Sequence, residues 1–399
     1  MHNNARNGSG PEAQAPTTLI VTPTVEVGGS GRMVVDMAAA AVKAGGRAIV
    51  MSSGGRLLPE LLRSGATHVA ANVLSASRWS LLRLGWQIGR LVRKEGVHLI
   101  HAMSPAAAWA ATVSQRFHQV PLVVTLAQPF TPTTRLEQGF KSAISRADRI
   151  IAVSNFAAAC LGDEEITQNA SIIPYGINLA RFNPGAVKAD RLIKLSQKWL
   201  LPDGVPLILM TGAALPGKGH ELMVEALAAL GDRPFHCLIL GDDLGYEDHR
   251  QQIEDLIIAK GLEGKVRFGG FCEDMPAAYM LADLVVVPNT VPEAYSCTAA
   301  EAQAMGRPVT AANHGATADV VKSWGPTALF TPNDPDALAK SILAGLALTA
   351  EKREAIALMA RAHVEHAFAL EAVTLRILEV YDSALVEAAQ LRLEARRSA

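Results

Sequence analysis

A chain of 399 residues is long for one domain and suits two, and 49% apolar residues with only 5% aromatics suit parallel sheets covered by helices. The net charge of −1 balances two unlike parts: residues 1–182 hold 17 Lys+Arg against 10 Asp+Glu, net +7, and the remainder of the totals of 37 and 38 is 20 against 28, net −8. No run of about 18 apolar residues is present, which excludes a helical membrane span, and four scattered cysteines (Cys160, Cys237, Cys272, Cys297) lack metal-ligand spacing and read as thiols in a reducing compartment.

In chain order, residues 1–16 are polar, without the apolar core of a signal peptide, and read as a disordered tail. A first domain is expected over 17–184. It begins with a strand at 18–22, a glycine-rich turn at Gly28-Gly29-Ser30-Gly31, a helix from Arg32 to Ala44, a strand at 48–52 and a helix at 57–65. Arginines and Lys94 alternate with Trp79, Trp86 and leucines between Arg78 and Lys94. This is either an ordinary helix packing its leucine face on the sheet or a basic amphipathic helix lying on an anionic membrane. Strands follow at 99–102, 122–126 and 149–153, the last leading to Ser154 as a helix N-cap. A second domain is expected over 185–370, with strands at 206–211, 236–240, 266–268 and 284–288. A loop runs from Gly212 to Gly219, and a helix at 274–282 carries Tyr279. Residues 371–399 form a terminal helix. The alternation of strand and helix throughout is that of doubly wound α/β sheets.

The most informative segment is Pro292-Glu293-Ala294-Tyr295-Ser296-Cys297-Thr298-Ala299-Ala300-Glu301, continuing through Met305-Gly306-Arg307-Pro308 to His314-Gly315-Ala316. Glu293 follows a strand, in the crevice where open α/β sheets bind ligands, and Glu301 lies two helical turns further on. Two carboxylates there can grip hydroxyls on two parts of one ligand. On spacing alone, a loop acid and a solvated helix acid account for them equally well. With the flanking turn and the His-Gly-Ala loop, the segment resembles the E-x7-E signature of family 4 retaining glycosyltransferases. That resemblance extends from about Val21 to about Tyr381.

The resemblance implies a GT-B fold, with two doubly wound Rossmann-like domains facing across a cleft and the last helix returning toward the first domain. It implies catalytic roles for Glu293 and Lys218. The expected donor site comprises Gly28, Gly29, Gly212, Lys218, Glu293, the backbone of Ala294, Tyr295, Ser296 and Cys297, and Glu301 on the ribose. Arg32, His101 and Ala127 fall on the acceptor side. Three positions depart from the family's pattern. Ala213 stands where an arginine is usual, Ala127 where a histidine is usual, and Ala294-Tyr295-Ser296 replaces Gly-Phe-Gly. Relatives also often carry an acid at the place of Gly31. Arg32 or Arg56 is a candidate substitute cation.

The expected activity is transfer of a sugar from a UDP- or GDP-linked donor, with retention, to a cell-envelope polysaccharide, lipopolysaccharide or lipid-linked acceptor. The expected setting is the cytoplasm, at the inner membrane face. The alternative is a non-catalytic GT-B protein that binds a nucleotide sugar or a partner. Neither a cofactor nor a metal is expected. Asp334-Pro335-Asp336 has Asp-x-Asp spacing but reads as a helix cap. No nucleic-acid pattern is present.

Overall fold

The computed structural model describes residues 16–74, 77–242, 245–321, 325 and 328–398. Of the tail expected over 1–16, all but Pro16 lies outside the described residues. Within them the chain divides into two compact units. One comprises residues up to 125, 132–151 and 375 onward; the other comprises 126–131 and 152–374.

The first sheet has seven strands: β1 (Thr17–Val21), β2 (Arg47–Ser52), β3 (Thr67–Ala70), β4 (Leu99–Ala102), β5 (Leu122–Leu126), β6 (Arg149–Ala152) and β7 (Ser171–Ile172), in the order β3-β2-β1-β4-β5-β6-β7. The second has six: β8 (Leu207–Thr211), β9 (His236–Leu240), β10 (Val266–Gly270), β11 (Leu284–Val287), β12 (Val309–Ala312) and β13 (Leu329–Phe330), in the order β10-β9-β8-β11-β12-β13. Both are parallel sheets with interleaved helices, each Rossmann-like. In each, the strand order reverses beside the first strand of the set: β1 is flanked by β2 and β4, and β8 by β9 and β11. The two switch points therefore lie between β1 and β4 and between β8 and β11, and the crevice beyond the strand ends at such a point receives ligands. The strands read as near-continuous apolar runs because both faces are covered; β8 and β11 are buried almost throughout.

Several sequence expectations shift in detail. The glycine-rich turn after β1 is shorter than expected, because the helix starts at Gly29 and runs to Lys43 with Gly28 as its N-cap. Gly31 lies in that first turn, directly over the preceding loop. A Cβ added there would come 2.0 Å from the carbonyl oxygen of Glu26, so no side chain has room at 31. Gly31→Ala is expected to destabilise the first unit by roughly 1–3 kcal/mol, the usual range for overpacking. Urea titration followed by circular dichroism checks this, and an unchanged midpoint would mean the Glu26 loop simply moves aside. The helix expected over 57–65 is Leu58–Arg63. β3 had no apolar run to announce it: it is an edge strand of intermediate and exposed residues.

From Leu375 onward the terminal helix, Leu370–Ser398, is part of the first unit, held within it by polar as well as apolar contacts. Arg149 donates to Ser383 at 2.8 Å and pairs with Glu387 at 2.6 Å. Tyr381 is buried and its hydroxyl meets His101.

Candidate active site

In the second unit, the Gly212–Gly219 loop leaves β8 and the 288–296 segment leaves β11, its neighbour across the switch point. The two loops are joined backbone to backbone. The Thr290 amide donates to the Gly217 carbonyl at 2.9 Å. Gly219 has φ +80°, and a Cβ there would come 1.9 Å from the Pro288 carbonyl oxygen, so only glycine permits this approach. The consequence is that Lys218 and Glu293, 75 residues apart in sequence, form an ion pair through Nζ and Oε1. Their side chains are 31% and 24% exposed, so both remain reachable from solvent.

Glu293 is braced from the other side by the loop after β12. The Ala316 amide donates to the Glu293 carbonyl at 3.0 Å, and Gly315 packs against the Glu293 backbone too closely for a side chain. His314 Nε2 lies 2.8 Å from the Asn289 carbonyl oxygen.

Glu301 lies on the Cys297–Ala304 helix, whose small residues bury it closely against β11 and β12. Its carboxylate accepts a 2.9 Å hydrogen bond from the hydroxyl of Tyr279, which is fully buried. Burial first, and the Glu301 charge second, hold the Tyr279 phenol well above its ordinary value, so it stays a donor. Thr211, at the end of β8, and Thr298, on the helix, share a 2.7 Å hydroxyl bond beside it. The Cys297 thiol, partly buried, is raised above its ordinary value by burial and then by the Glu301 and Glu293 charges.

Around these loops several buried polar atoms have no hydrogen-bond partner among the described residues: Asn289 Nδ2, Ser296 Oγ and His314 Nδ1. An unmet buried polar atom costs roughly 1–3 kcal/mol. Others lie in the second unit as well, on His220, His236, His249, Tyr295 and Thr310.

The other expected site residues have different surroundings. The Tyr295 ring turns inward, edge-on to Tyr175 at 5.2 Å and to Phe368 at 5.6 Å between centroids. Ala294 and Ser296 are also buried, so the side chains of this segment face inward. Ala127 is in the second unit, and its carbonyl accepts from the Tyr175 hydroxyl at 2.9 Å.

Gly28, Gly29, Arg32 and His101 belong to the first unit. Arg32, the candidate substitute cation, is ion-paired: its guanidinium grips both carboxylate oxygens of Glu60, the Nη2–Oε2 bond at 3.0 Å. His101 is a core residue rather than a surface contact. It is 0% exposed, Nδ1 is 2.6 Å from the Tyr381 hydroxyl and Nε2 is 2.6 Å from the Thr125 hydroxyl. Burial lowers its pKa to about 3, so it is a neutral hydrogen-bond bridge. Asp334 caps the Pro335–Leu346 helix, accepting from the Ala337 amide at 2.9 Å.

Sequence reading did not find Tyr279 as a partner of Glu301, nor Thr211 and Thr298. A tyrosine on an apolar helix carries no signal of its own, and the strand order alone brings it to the carboxylate.

Residues 27–181 match the family model described as Glycosyltransferase Family 4, and residues 193–363 match that described as Glycosyl transferases group 1. The chain belongs to the family 4, group 1 glycosyltransferases. The chain is 31% identical over 265 residues to a D-inositol 3-phosphate glycosyltransferase of Salinispora tropica, covering 62% of this chain and 54% of that one. It is 26% identical over 275 residues to a 2-deoxystreptamine glucosyltransferase of Streptomyces kanamyceticus, covering 63% and 69%. The chain thus spans about half the length of the Salinispora relative it matches. Among solved structures, a glycosyltransferase from Rickettsia africae superposes with a TM-score of 0.85 at 27% identity, covering 93% of this chain and 98% of that one. Anabaena HepE in complex with UDP and glucose superposes at 0.82 with 21% identity, over 92% and 100%, a likeness of fold. Such neighbours are GT-B glycosyltransferases, and the two Rossmann-like sheets of this chain are of that fold class.

Proposed function

We propose that this glycosyltransferase moves a hexosyl group from a UDP- or GDP-linked donor to an acceptor, with retention of configuration. The observation that carries the reading is the juxtaposition of Lys218 with Glu293 at the β8–β11 switch point, with Glu301 held one helix away. In this reading the Lys218 ammonium leaves Glu293 and takes the donor diphosphate, where it offsets the charge that develops as the glycosidic bond breaks. Glu293, released, accepts hydrogen bonds from the sugar hydroxyls. Glu301 accepts from the ribose hydroxyls. The backbone amides of 294–297, at the start of the Cys297–Ala304 helix, face the phosphates with the positive end of the helix dipole. The departing phosphate oxygen takes the acceptor proton on the same face, which retains configuration. No bound metal is required in this scheme.

The acceptor is the finer part of the proposal. The net +7 of residues 1–182 fits an acceptor that carries phosphate, such as a lipid-linked or lipopolysaccharide glycan of the cell envelope. The Salinispora relative, by its name, acts on an inositol phosphate, and an acceptor panel should include phosphorylated polyols.

The test of the donor site is a thermal-shift screen against UDP- and GDP-sugars with the wild-type protein and Glu301→Ala. A ligand that binds only the folded state raises Tm. A shift with one sugar nucleotide that disappears in the variant is expected. No shift with any of them overturns the reading.

Tyr279→Phe should raise the donor KM about tenfold while kcat changes little, the loss of one hydrogen bond to a charged carboxylate. Initial rates over a donor series check this, and a fall in kcat at unchanged KM would remove Tyr279 from donor binding.

A second reading, a non-catalytic binder of a nucleotide sugar or a partner, is favoured by three departures from the family's pattern, Ala213, Ala127 and Ala294-Tyr295-Ser296. Transfer that is undetectable in both wild type and Ala213→Arg, with donor binding intact, would select it.

A further inference from the structure

Among the described residues, the Arg78–Glu95 helix buries one face and leaves the other exposed. Leu81, Leu84, Gly85, Ile88, Gly89 and Val92 face inward. Gly85 lets the helix lie close against the Pro105–Gln115 helix, since a Cβ there would come 2.8 Å from the Ala110 carbonyl oxygen. The apolar face that the sequence shows is therefore consumed in the unit's own core.

What remains outside is unusual for a surface helix. Trp79 is 83% exposed, Trp86 65% and Leu82 43%. With Arg83, Arg90 and Arg93 they form one stripe: Trp79, Leu82, Trp86, Arg90 and Arg93 follow at steps of three or four, and Arg83 lies four after Trp79 and three before Trp86 on the same face. The Arg90 guanidinium sits over the Trp86 ring, 5.9 Å from its centroid. The helix has a single acid, Glu95, and that is held by Arg47 at 3.1 Å and Lys94 at 3.2 Å. The stripe is thus apolar toward its N-terminal end, cationic toward its C-terminal end, and free of net negative charge along its length.

A second copy of the chain is a poor occupant. A parallel two-fold pairing would set this row of arginines against its own image, and in either orientation the contact is small. An 18-residue helix is about 27 Å long and about 10 Å wide, on the order of 300 Å², well short of the roughly 800 Å² per partner of a stable interface. Indole rings beside guanidinium groups match instead the layered chemistry of a bilayer surface, where tryptophan sits at headgroup level and arginine reaches the phosphates.

We propose that the Trp79–Leu82–Trp86 and Arg83–Arg90–Arg93 face of this helix docks the protein on anionic lipid. The three apolar side chains enter the headgroup layer and the three guanidinium groups bind lipid phosphates. The buried face keeps its packing and the helix does not unfold or cross the bilayer.

Vesicle flotation tests this with the full chain, using phosphatidylcholine vesicles and vesicles of equal parts phosphatidylcholine and phosphatidylglycerol. Binding to the anionic vesicles alone is expected, weakening as added salt shortens the range of the charge interaction. W79A/W86A and R90A/R93A should each reduce partitioning about tenfold or more. Both pairs are exposed, and unchanged thermal melting of the variants confirms that they fold. No binding of the wild type to anionic vesicles overturns the proposal, as does equal binding to neutral ones or unchanged binding of W79A/W86A. A concentration-dependent dimer in size exclusion that W79A/W86A abolishes, without vesicle binding, would assign the face to a second copy.

Discussion

Lys218→Ala is expected to lower kcat for sugar transfer about 10²–10³-fold, the loss usual when one preorganised charge-stabilising group is removed. With alanine at 213, Lys218 is the cation that the phosphate loop itself supplies, so the loss should fall at the upper end of that range. Lys218→Arg should recover part of the rate, since a guanidinium also binds diphosphate. Glu293 complicates the reading in a useful way. Without the lysine its carboxylate faces the donor phosphates unpaired, and donor binding should weaken as well as turnover slow. Glu293→Gln removes that repulsion, so K218A/E293Q should bind UDP more tightly than K218A while remaining slow. Initial rates and UDP titration on the two single variants and the double variant check this. Additive effects on UDP affinity would show that the two side chains do not answer to the same ligand.

Acid should destabilise each unit through a buried histidine. His101 in the first unit has its pKa lowered to about 3 by burial, and His220 in the second to about 4, by burial, then His249, then Lys218. In the unfolded chain both take a proton near 6.5. Their folded pKa values are depressed, so the unfolded state binds more protons below pH 6.5, and stability falls as pH falls through that value toward 3 and 4. At pH 5 the difference amounts to about 2 kcal/mol for each unit. Carboxylates contribute little in this window: Glu137, held at about 2 mainly by the Thr134 amide, loses its share only below about pH 4.5. Urea titrations at pH 7.5 and pH 5.0 check the size of the effect. His101→Gln should lower stability at pH 7.5, because Tyr381 and Thr125 lose their shared partner, and flatten the pH dependence of the first unit. An unchanged slope would mean the histidine is protonated in the folded state.

The sequence by itself determined the class of fold and the two carboxylates of the candidate site. Runs such as Leu122–Leu126 and Leu284–Val287 are apolar on both faces, and only a strand covered on both sides of a sheet needs that, so most strands were legible to within a residue or two. Glu293 and Glu301 were legible because the motif that carries the family resemblance is local: a strand end, a loop and two turns of helix hold both within ten residues. Lys218 likewise was legible from a local motif of that resemblance, the Gly212–Gly219 loop.

Tertiary structure alone decided the partners. Tyr279 meets Glu301, Gly217 accepts from Thr290, and Arg32 is claimed by Glu60, because the order of parallel strands places segments 22 to 73 residues apart side by side. No local periodicity records that order. His101 shows the limit most clearly. At the end of a strand it has the form of a ligand contact. A tyrosine 280 residues later closes over it and makes it core. Likewise the pattern of the Arg78–Glu95 helix announced an apolar face and a basic one, but only packing shows that the leucine face is spent inside and the tryptophans are left outside. Side-chain chemistry is written in the chain. Which side chains meet depends on where the sheet brings distant segments together.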